Sequence, residues 1–243
     1  MEEKKELDYK VFQRNDIVQR SRYTLSLSQQ KLLRYFISFI KQDTVISNEG
    51  VEVVSDNSNN ELEFYFSIKD YGNLLGINIR NGDIYKRIKT DLLAILRCIV
   101  LVKQDNGHTT AVKWLDNVDI NEGSGDIKIR FDNSITPYLY SITNRFTCYK
   151  ISEILPFKSK YSICLYELFL SHSFEKTFSI SVDELRWRLA IDKDEYFNAF
   201  KRISEKILNP SLKEINELTS LNVSFNKMGK PVKEISFVIK NKL

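Results

Sequence analysis

The chain has 243 residues, of which 42% are hydrophobic, and this length suits two small domains with a core each. An apolar fraction of this size excludes wholesale disorder. The 36 lysines and arginines are balanced by 32 aspartates and glutamates, and the net charge of +4 excludes the heavily basic composition of a protein that coats nucleic acid without selectivity.

Cysteine usage and the start of the chain indicate a cytoplasmic protein. Cys98, Cys148 and Cys164 are odd in number, widely spaced and set among apolar residues, which favours reduced, buried thiols over disulfides or a zinc site. Residues 1–6 are charged and no apolar run follows them, so no signal peptide is expected. The apolar run at 98–102 is too short to span a bilayer. We therefore expect a soluble protein without membrane contact.

The first part of the chain predicts a tail, a capped helix and a loop. Residues 1–10 are expected to form a flexible tail, and Ser26 or Ser28 can cap the helix that follows. The polar segment 43–61 predicts a loop with a short strand at 51–54. The apolar residues of the helix recur at helical spacing and predict its buried stripe: Leu32, Leu33, Phe36, Ile37, Phe39 and Ile40.

A helix-turn-helix is predicted next. A strand at 63–68 leads to a short helix at 69–75, which Gly76 can end in the left-handed conformation. Asp83 can cap the second helix, whose apolar and polar residues separate onto opposite faces. The residues expected to face inward are Ile84, Ile88, Leu92, Ile95 and Ile99, and those expected to face outward are Lys86, Arg87, Lys89 and Thr90.

A β-hairpin follows this second helix. Asn106 and Gly107 lie between two apolar runs and are a strong signal for a hairpin turn. The predicted strands are 99–103 and 110–118, with a third strand at 126–131. Because a hairpin after a helix-turn-helix is typical of a winged helix, we interpret this hairpin as a wing beside the second helix.

The second half of the chain predicts the same succession of elements. After Pro156, Ser159 can cap a core helix, and a strand at 178–180 follows it. Ser181 and Glu184 form a capping box at the start of the next helix, since each side chain can accept an amide proton that the first turn leaves free.

The last part of the chain predicts a recognition helix and a second wing. The helix is expected over 195–208 and ends before Pro210, and another helical turn is expected over 212–218. Strands at 221–226 and 235–239 flank a basic turn at 227–231, which we interpret as the wing. The helix residues expected to face inward are Phe197, Phe200, Ile203 and Ile207, and those expected to face outward are Asn198, Lys201, Arg202 and Glu205.

Two stretches of the chain repeat one order of signals. The first consists of 66–68 (Phe-Ser-Ile), Asp70, 74–77 and 85–88 (Tyr-Lys-Arg-Ile). The second consists of 178–180 (Phe-Ser-Ile), Asp183, 189–191 and 200–203 (Phe-Lys-Arg-Ile). The shared order predicts a duplicated helix-turn-helix. The predicted fold class is therefore α+β, with two tandem, pseudo-duplicated winged-helix domains at 11–145 and 146–243.

Three stretches also carry a family resemblance. They are 14–33, with the sequence Arg-Tyr-Thr-Leu-Ser-Leu-Ser-Gln-Gln-Lys-Leu-Leu at its end, 157–168, and 196–216. In this order they resemble the plasmid replication initiator proteins of the Rep_3 superfamily, the RepB/RepE-like iteron-binding initiators. One position departs from the pattern, because the family often has arginine before Leu-Tyr-Glu where this chain has Cys164. If that arginine contacts phosphate in relatives, Lys158 or Lys160 must supply the contact here or it is missing.

The resemblance implies partners as well as a fold. Relatives bind direct repeats, called iterons, in the double-stranded DNA of a plasmid origin. They help to open the adjacent AT-rich DNA and recruit the host replication initiator and helicase. Many also bind an operator inverted repeat as dimers and repress their own gene, so monomer and homodimer forms are both expected.

The outer arcs of the two recognition helices are candidate DNA contacts, since a helix fits the major groove, where base edges present distinct donors and acceptors. Arg202 can contact guanine in a bidentate manner, Asn198 can contact adenine, and Lys201 suits phosphate. The alternative is that these arcs are only the solvated faces of amphipathic helices. In the first half the candidates, with more weight on phosphate, are Lys86, Arg87 and Lys89.

Two further groups of residues are candidate backbone contacts. Lys158, Ser159 and Lys160 stand at a predicted helix N-terminus, where amides, hydroxyl and helix dipole all favour an anion. Lys227 and Lys230 on the second wing can follow the DNA backbone. The alternatives are a plain N-cap in the first case and a basic hairpin tip that binds nothing in the second.

Two other functions are alternatives to DNA-dependent initiation. A rolling-circle nicking enzyme needs a tyrosine beside a metal held by two close histidines, but His108 and His172 are isolated, and no glycine-rich phosphate loop occurs. We therefore expect no enzymatic activity, cofactor or metal. A winged-helix transcriptional repressor without an initiator role needs the same DNA-reading surface, so the sequence leaves it open.

Overall fold

The structure is a computed structural model that describes residues 9–40, 43–47, 50–54, 62–76, 82–140, 142, 144–192 and 199–242. In the first half the elements are β1 (Lys10–Arg14), α1 (Asn15–Arg20), β2 (Ser21–Arg22), α2 (Leu27–Ile37), β3 (Asp43–Ser47), β4 (Gly50–Val54), β5 (Glu63–Ser67), α3 (Ile68–Leu74), α4 (Gly82–Arg97), β6 (Ile99–Lys103), β7 (Thr109–Lys113), β8 (Leu115–Ile120), β9 (Asp126–Phe131) and α5 (Thr136–Leu139). In the second half they are β10 (Phe146–Lys150), a 3-10 turn (Ile151–Glu153), α6 (Lys160–Ser171), β11 (Thr177–Ser181), α7 (Val182–Arg188), α8 (Phe200–Ile203), a π-helical turn (Ser204–Leu208), α9 (Asn209–Leu218), β12 (Leu221–Met228) and β13 (Glu234–Asn241).

The two halves repeat one winged-helix topology. The first half contains α2, β5, α3, α4 and the β8–β9 hairpin, and the second contains α6, β11, α7, the helix 200–218 and the β12–β13 hairpin. In each half the strand before the short helix pairs with the last strand of the hairpin, which gives antiparallel sheets in the orders β5-β9-β8 and β11-β13-β12. The predicted fold and its duplication are confirmed.

The register of the duplication differs from the predicted one by two residues. Ser67 and Ser181 cap α3 and α7, because each hydroxyl accepts the amide three residues later, at 3.1 and 3.0 Å. In each half the amide of the residue after this serine donates to a carbonyl of the hairpin: Ile68 to Gly125 at 3.1 Å, and Val182 to Lys233 at 2.9 Å. The segment 66–68 therefore corresponds to 180–182 and not to 178–180. The match of two Phe-Ser-Ile tripeptides was misleading, since the cap, rather than the residue names, fixes where a helix begins.

The predicted first wing is wrong. The β6–β7 hairpin with the Asn-Gly turn pairs with β2 in a separate sheet of order β2-β6-β7. The predicted strand 110–118 is divided at Trp114, a fully buried residue where the chain passes from one sheet to the other. By topology the wing is the β8–β9 hairpin, which pairs with β5. An Asn-Gly turn identifies a hairpin but carries no information about the strand on which that hairpin packs.

The predicted helix 195–208 with its break at Pro210 also needs correction. Residues 193–198 lie outside the described residues, and from Phe200 the helix continues past Pro210 to Leu218. Proline lacks an amide hydrogen, and its ring would meet the carbonyl four residues earlier in a regular α-helix. The π-helical turn directly before it, in which the Asn209 amide donates to the Ser204 carbonyl, shifts the carbonyls and lets the helix pass.

Other local predictions hold with small changes. Ser26 caps α2 in a capping box with Gln29, and the helix buries its predicted stripe except for half-buried Phe39. Gly76 has a φ of +66°, as its capping role requires. α4 begins at Gly82, so Asp83 lies inside the first turn. The predicted loop contains the β3–β4 hairpin, which includes the expected strand, while 55–61 lies outside the described residues.

The division of the chain after residue 145 stays a prediction, and one sheet crosses it. β1 pairs with β10 in antiparallel register, from Lys10 opposite Lys150 to Arg14 opposite Phe146. Residues 1–8 of the predicted tail lie outside the described residues, whereas Lys10 already belongs to β1. The chain that leaves the first half is therefore hydrogen-bonded to the strand with which that half begins.

A buried ion pair joins α2 and α6, the helices with which the two winged-helix units begin. Arg34 of α2 and Glu167 of α6 are 1% and 3% exposed, with Nη2–Oε2 and Nε–Oε1 distances of 2.8 and 3.0 Å. Gln13 and Tyr149 also donate to Oε1, at 2.8 and 2.6 Å. Each charged residue lies eight positions after the serine that caps its helix. The pair therefore joins equivalent positions of the duplicated unit.

Replacing Glu167 by Gln should lower the free energy of unfolding at pH 7 by roughly 3–5 kcal/mol, because Arg34 would stay buried without a counter-charge. Urea titration followed by circular dichroism measures this loss. The control is Glu217→Gln on the exposed face of α9, where the side chain is 61% exposed and the expected change is within about 0.5 kcal/mol. Equal losses in the two variants would contradict a structural role for the pair.

The same pair predicts a pH dependence. Burial by itself would raise the pKa of Glu167, but the charge of Arg34 and the hydrogen bonds hold that pKa below its ordinary value. A carboxyl with a depressed folded pKa contributes stability above the unfolded pKa of about 4.3 and loses it as the pH falls through the folded pKa. The difference in Tm between the native chain and Glu167→Gln should therefore shrink as the pH falls from 5 towards 2. A constant difference would refute this.

Candidate nucleic-acid interface

The first recognition helix, α4, presents a cationic arc. It buries Ile88, Leu92 and Ile95, which fill the core of the first half. The separation of faces follows the predicted helical spacing, except that Ile84 is half-buried and Ile99 begins β6 with 47% exposure. The exposed arc carries the predicted residues Lys86, Arg87, Lys89 and Thr90.

The β8–β9 wing packs directly on this helix. Tyr85 of α4 lies against Gly125 at the end of the wing turn, and a Cβ on that glycine would lie 2.7 Å from the tyrosine ring. Gly125 also has a φ of +76°, which other residues rarely adopt. Glu122 in the same turn forms an ion pair with Lys89. The wing therefore fixes the position of the arc and neutralises one of its cations.

The second recognition helix, 200–218, presents a matching arc. Lys201 and Arg202 are exposed in its first turn, while Ile203 and Ile207 are buried. Lys201 Nζ lies 3.8 Å from a carboxylate oxygen of Glu205 along the helix. The predicted adenine contact, Asn198, lies outside the described residues.

An aromatic residue joins the second helix to its wing as Tyr85 does in the first half. Phe200 directly precedes the Lys-Arg pair, and Lys227 Nζ lies 5.7 Å from the centre of its ring. Lys227 and Lys230 are both exposed on the β12–β13 hairpin. The structure thus brings Lys227 beside the helix that carries Lys201 and Arg202.

The predicted phosphate site at the start of α6 contains a carboxylate. Ser159 caps the helix as expected, and its hydroxyl accepts the Tyr161 amide at 3.2 Å. Glu214 of α9 accepts the Lys158 amide at 2.9 Å and the Ser162 hydroxyl at 2.5 Å. A phosphate at this helix end would meet the negative charge of Glu214, so the amides of the first turn are unsuited to bind it. Contacts with the DNA backbone can then come only from side chains near the start of the helix. These are the exposed Lys158 and the half-buried Lys160, whose Nζ lies 5.0 Å from the centre of its neighbour's ring.

A further contact orients the two halves. Arg22 of β2 forms an ion pair with Asp192 at 2.8 Å and donates to the Trp187 carbonyl at 3.3 Å. Lys103 of β6 lies 4.1 Å from the centre of the Trp187 ring and pairs with Glu184 of α7. The β2-β6-β7 sheet, which contains the hairpin predicted to be the first wing, therefore binds the second half. Sequence reasoning missed these residues because nothing along the chain indicates which charges meet across the two halves.

The described part of the chain offers no alternative site of metal chemistry. Within it no three side chains of His, Cys, Asp or Glu lie together as a metal site would require. No helix in these ranges has the length and apolarity needed to cross a membrane.

Burial raises the pKa of the Cys98 thiol to about 11, partly offset by its backbone hydrogen bond, so this thiol is neutral at physiological pH.

Comparison with known proteins identifies relatives along most of the chain. The family model described as "Initiator Replication protein, WH1" matches residues 10–170, and "Initiator Rep protein, WH2" matches residues 181–239. A "Replication initiation protein" of Escherichia coli is 21% identical over 235 residues, which cover 94% of this chain and 69% of that protein. An "Uncharacterized 27.6 kDa protein" of Escherichia coli is 24% identical over 225 residues, which cover 89% of each.

One solved structure is similar to the whole chain. The Pi initiator protein, whose crystal structure was determined in complex with iteron DNA, matches with a TM-score of 0.69 and 20% identity. The match covers 97% of this chain and 98% of that one. At this level of identity the likeness shows a shared fold.

Replacing Gly125 by Ala should lower the free energy of unfolding by roughly 1–2 kcal/mol, because its left-handed backbone disfavours a Cβ. The new methyl group must also displace Tyr85. Gly123→Ala in the same turn is the control, since its Cβ would meet only Asn121 Oδ1 at 3.4 Å. Thermal unfolding of both variants measures the difference, and an equal loss in each would contradict the proposed junction of wing and helix.

Proposed function

Because the chain belongs to the family of initiator replication proteins, we propose that it binds iteron repeats in the double-stranded DNA of a plasmid origin and starts replication there. The observation that carries the proposal is the pair of recognition helices with exposed cationic arcs, held in one arrangement by the buried pair of Arg34 and Glu167. The Pi initiator, which has the same fold, was solved with iteron DNA, and this supports the choice of ligand.

The second recognition helix supplies base contacts in this proposal. Arg202 is exposed in the first turn, and its guanidinium can donate two parallel hydrogen bonds to guanine. Lys201, beside it, neutralises phosphate, and Asn198 can pair with adenine. Arg202 and Asn198 give the second half the greater share of sequence recognition.

The first recognition helix supplies mainly phosphate contacts. Lys86 and Arg87 are exposed and can reach the backbone on either side of the groove. Lys89 is held by Glu122, so a phosphate that binds it must first replace a carboxylate. Because the carboxylate must be displaced first, Lys89 binds phosphate more weakly than an exposed lysine that has no carboxylate beside it.

The remaining candidate residues extend the surface beyond the helices. Lys227 and Lys230 on the second wing follow the backbone, and Lys158 and Lys160 add charge near the start of α6. Ser159 has a structural role as the cap, which leaves its hydroxyl little freedom for DNA. Two winged helices in tandem contact successive faces about one helical turn apart, so a repeat of about 20 base pairs is the expected site.

Further parts of the proposal concern regulation and partners. We propose that monomers bind the iterons, that homodimers bind an operator inverted repeat and repress the gene, and that the bound protein recruits the host initiator and helicase. Resemblance to the iteron-binding initiators supports these assignments. The protein acts in the cytoplasm in this scheme and performs no chemistry of its own.

Footprinting on the DNA that flanks the gene tests the proposed function. Protection of direct repeats beside an AT-rich stretch is the expected result, with replication of a plasmid that carries this DNA depending on the protein. Protection of only a palindrome upstream of the gene, with no replication, would instead favour a winged-helix transcriptional repressor. Absence of any protected site would reject both functions.

Replacing Arg202 by Ala should weaken binding to the cognate repeat by about 1–3 kcal/mol more than binding to random DNA, as expected for one bidentate base contact. Lys201→Ala, one residue away and also exposed, is the matched control. It should weaken both complexes alike and make the salt dependence shallower by about 0.9 in slope, because one phosphate contact is lost. Fluorescence anisotropy across a salt series measures both effects. Equal losses of affinity for Arg202→Ala on the two DNAs would reassign Arg202 to the backbone.

A further inference from the structure

A small cavity lies where the two halves of the molecule meet. Its volume is about 10 Å³, and it borders the buried pair of Arg34 and Glu167. Trp114 lines it from the first half, and Cys164 and Arg188 line it from the second. A space of this size accommodates a single particle about as large as a water molecule.

Three buried hydrogen-bond donors without an acceptor belong to residues that line this cavity. They are Arg34 Nη1, Trp114 Nε1 and Arg188 Nε, and none has a hydrogen-bond partner among the atoms of the described residues. The three residues are 1%, 0% and 7% exposed. A buried donor that has lost water and gained no acceptor is unfavourable, so such groups in proteins are normally satisfied.

The carboxylate in the cavity wall is already engaged. Glu167 Oε1 accepts hydrogen bonds from Gln13, Tyr149 and Arg34 Nε, and Oε2 accepts from Arg34 Nη2. Among the described residues, Arg188 donates through Nη2 to the Cys164 backbone carbonyl at 3.3 Å and reaches no carboxylate. The wall therefore has more donors than acceptors.

The wall also has an excess of positive charge. Among the described residues it contains two guanidinium groups, those of Arg34 and Arg188, but one carboxylate. Burial raises the pKa of Tyr23 and of Cys164, so both stay protonated and neutral. Burial likewise lowers the pKa of Arg188, which is the sign of a cation without sufficient counter-charge. One negative charge would balance the cluster.

We propose that this cavity binds one monovalent anion of halide size, which accepts hydrogen bonds from Arg34, Trp114 and Arg188 and bridges the two halves. A halide accepts several hydrogen bonds and donates none, which matches a wall with surplus donors. A water molecule would bring two hydrogens that need acceptors and would leave the excess charge in place. Carboxylate metabolites and phosphate are too large for a cavity of about 10 Å³.

The anion would strengthen the arrangement on which DNA recognition depends. Arg34 belongs to α2 and Arg188 to α7, so a single ion between them links the helix that begins one winged-helix unit to the helix before the recognition helix of the other. Binding to the folded state alone stabilises it in proportion to the logarithm of ligand concentration. Arg34, Trp114 and Arg188 are not among the residues proposed to contact DNA. Anion binding and DNA binding are therefore expected to use separate residues.

Crystals of the full chain soaked in bromide give the direct test. The expected result is one anomalous peak between the guanidinium groups of Arg34 and Arg188. A water molecule there, with no anomalous signal, would overturn the proposal. Line broadening in chlorine NMR of the native chain gives a second measurement in solution, and broadening that bromide reverses is expected.

Thermal unfolding tests the energetic role of the anion. At constant ionic strength, replacement of sodium glutamate by sodium chloride should raise Tm by roughly 3–5 °C at ten times the Kd, and the rise should continue with the logarithm of the chloride concentration. Arg188→Met should abolish this rise, whereas the control Arg130→Met, whose half-buried side chain pairs with Asp116 away from the cavity wall, should keep it. An equal rise in all three proteins would show a general salt effect and refute the site. If Arg188→Met fails to fold, the bromide peak and the chlorine line width of the native chain decide alone.

Discussion

The architecture depends on one buried ion pair between two copies of the same helix. Arg34 and Glu167 occupy equivalent positions in α2 and α6, where a pair of identical halves would place like residues opposite each other. Two arginines or two glutamates at that point would repel in a site without water, whereas opposite charges attract. Divergence of this one position therefore favours contact between unlike halves of one chain over contact between like halves.

The contacts around this pair determine where the two recognition helices lie. Arg22 and Lys103 from the β2-β6-β7 sheet bind Trp187 and its neighbours on α7, directly before the second recognition helix. Each recognition helix is in turn positioned by an aromatic residue in its first turn, Tyr85 or Phe200, against its own wing. Groove reading by two helices on one duplex requires a constant separation, and these contacts provide it.

Carboxylates accompany the cations that are proposed to meet DNA. Glu122 pairs with Lys89, Glu205 lies near Lys201, and Glu214 occupies the start of α6 beside Lys158. This explains how the protein can present basic arcs and still have a net charge of only +4. Mixed charge of this kind weakens association with any DNA, so base contacts have a larger share in the choice of site.

The amino-acid sequence by itself determined the local structure and the class of fold. Serine caps at 26, 159 and 181, the helical stripes and Gly76 all act within one or two turns of helix, and so they could be predicted. Tertiary structure alone decided the rest, because the deciding partners are distant in the chain. It showed which hairpin is a wing, that Ala190 adopts a φ of +50° where the first half has Gly76, and that Glu214 reaches the start of α6. Capping depends on neighbours a few residues away, whereas sheet pairing and buried charge depend on what the folded chain brings together across more than 50 residues.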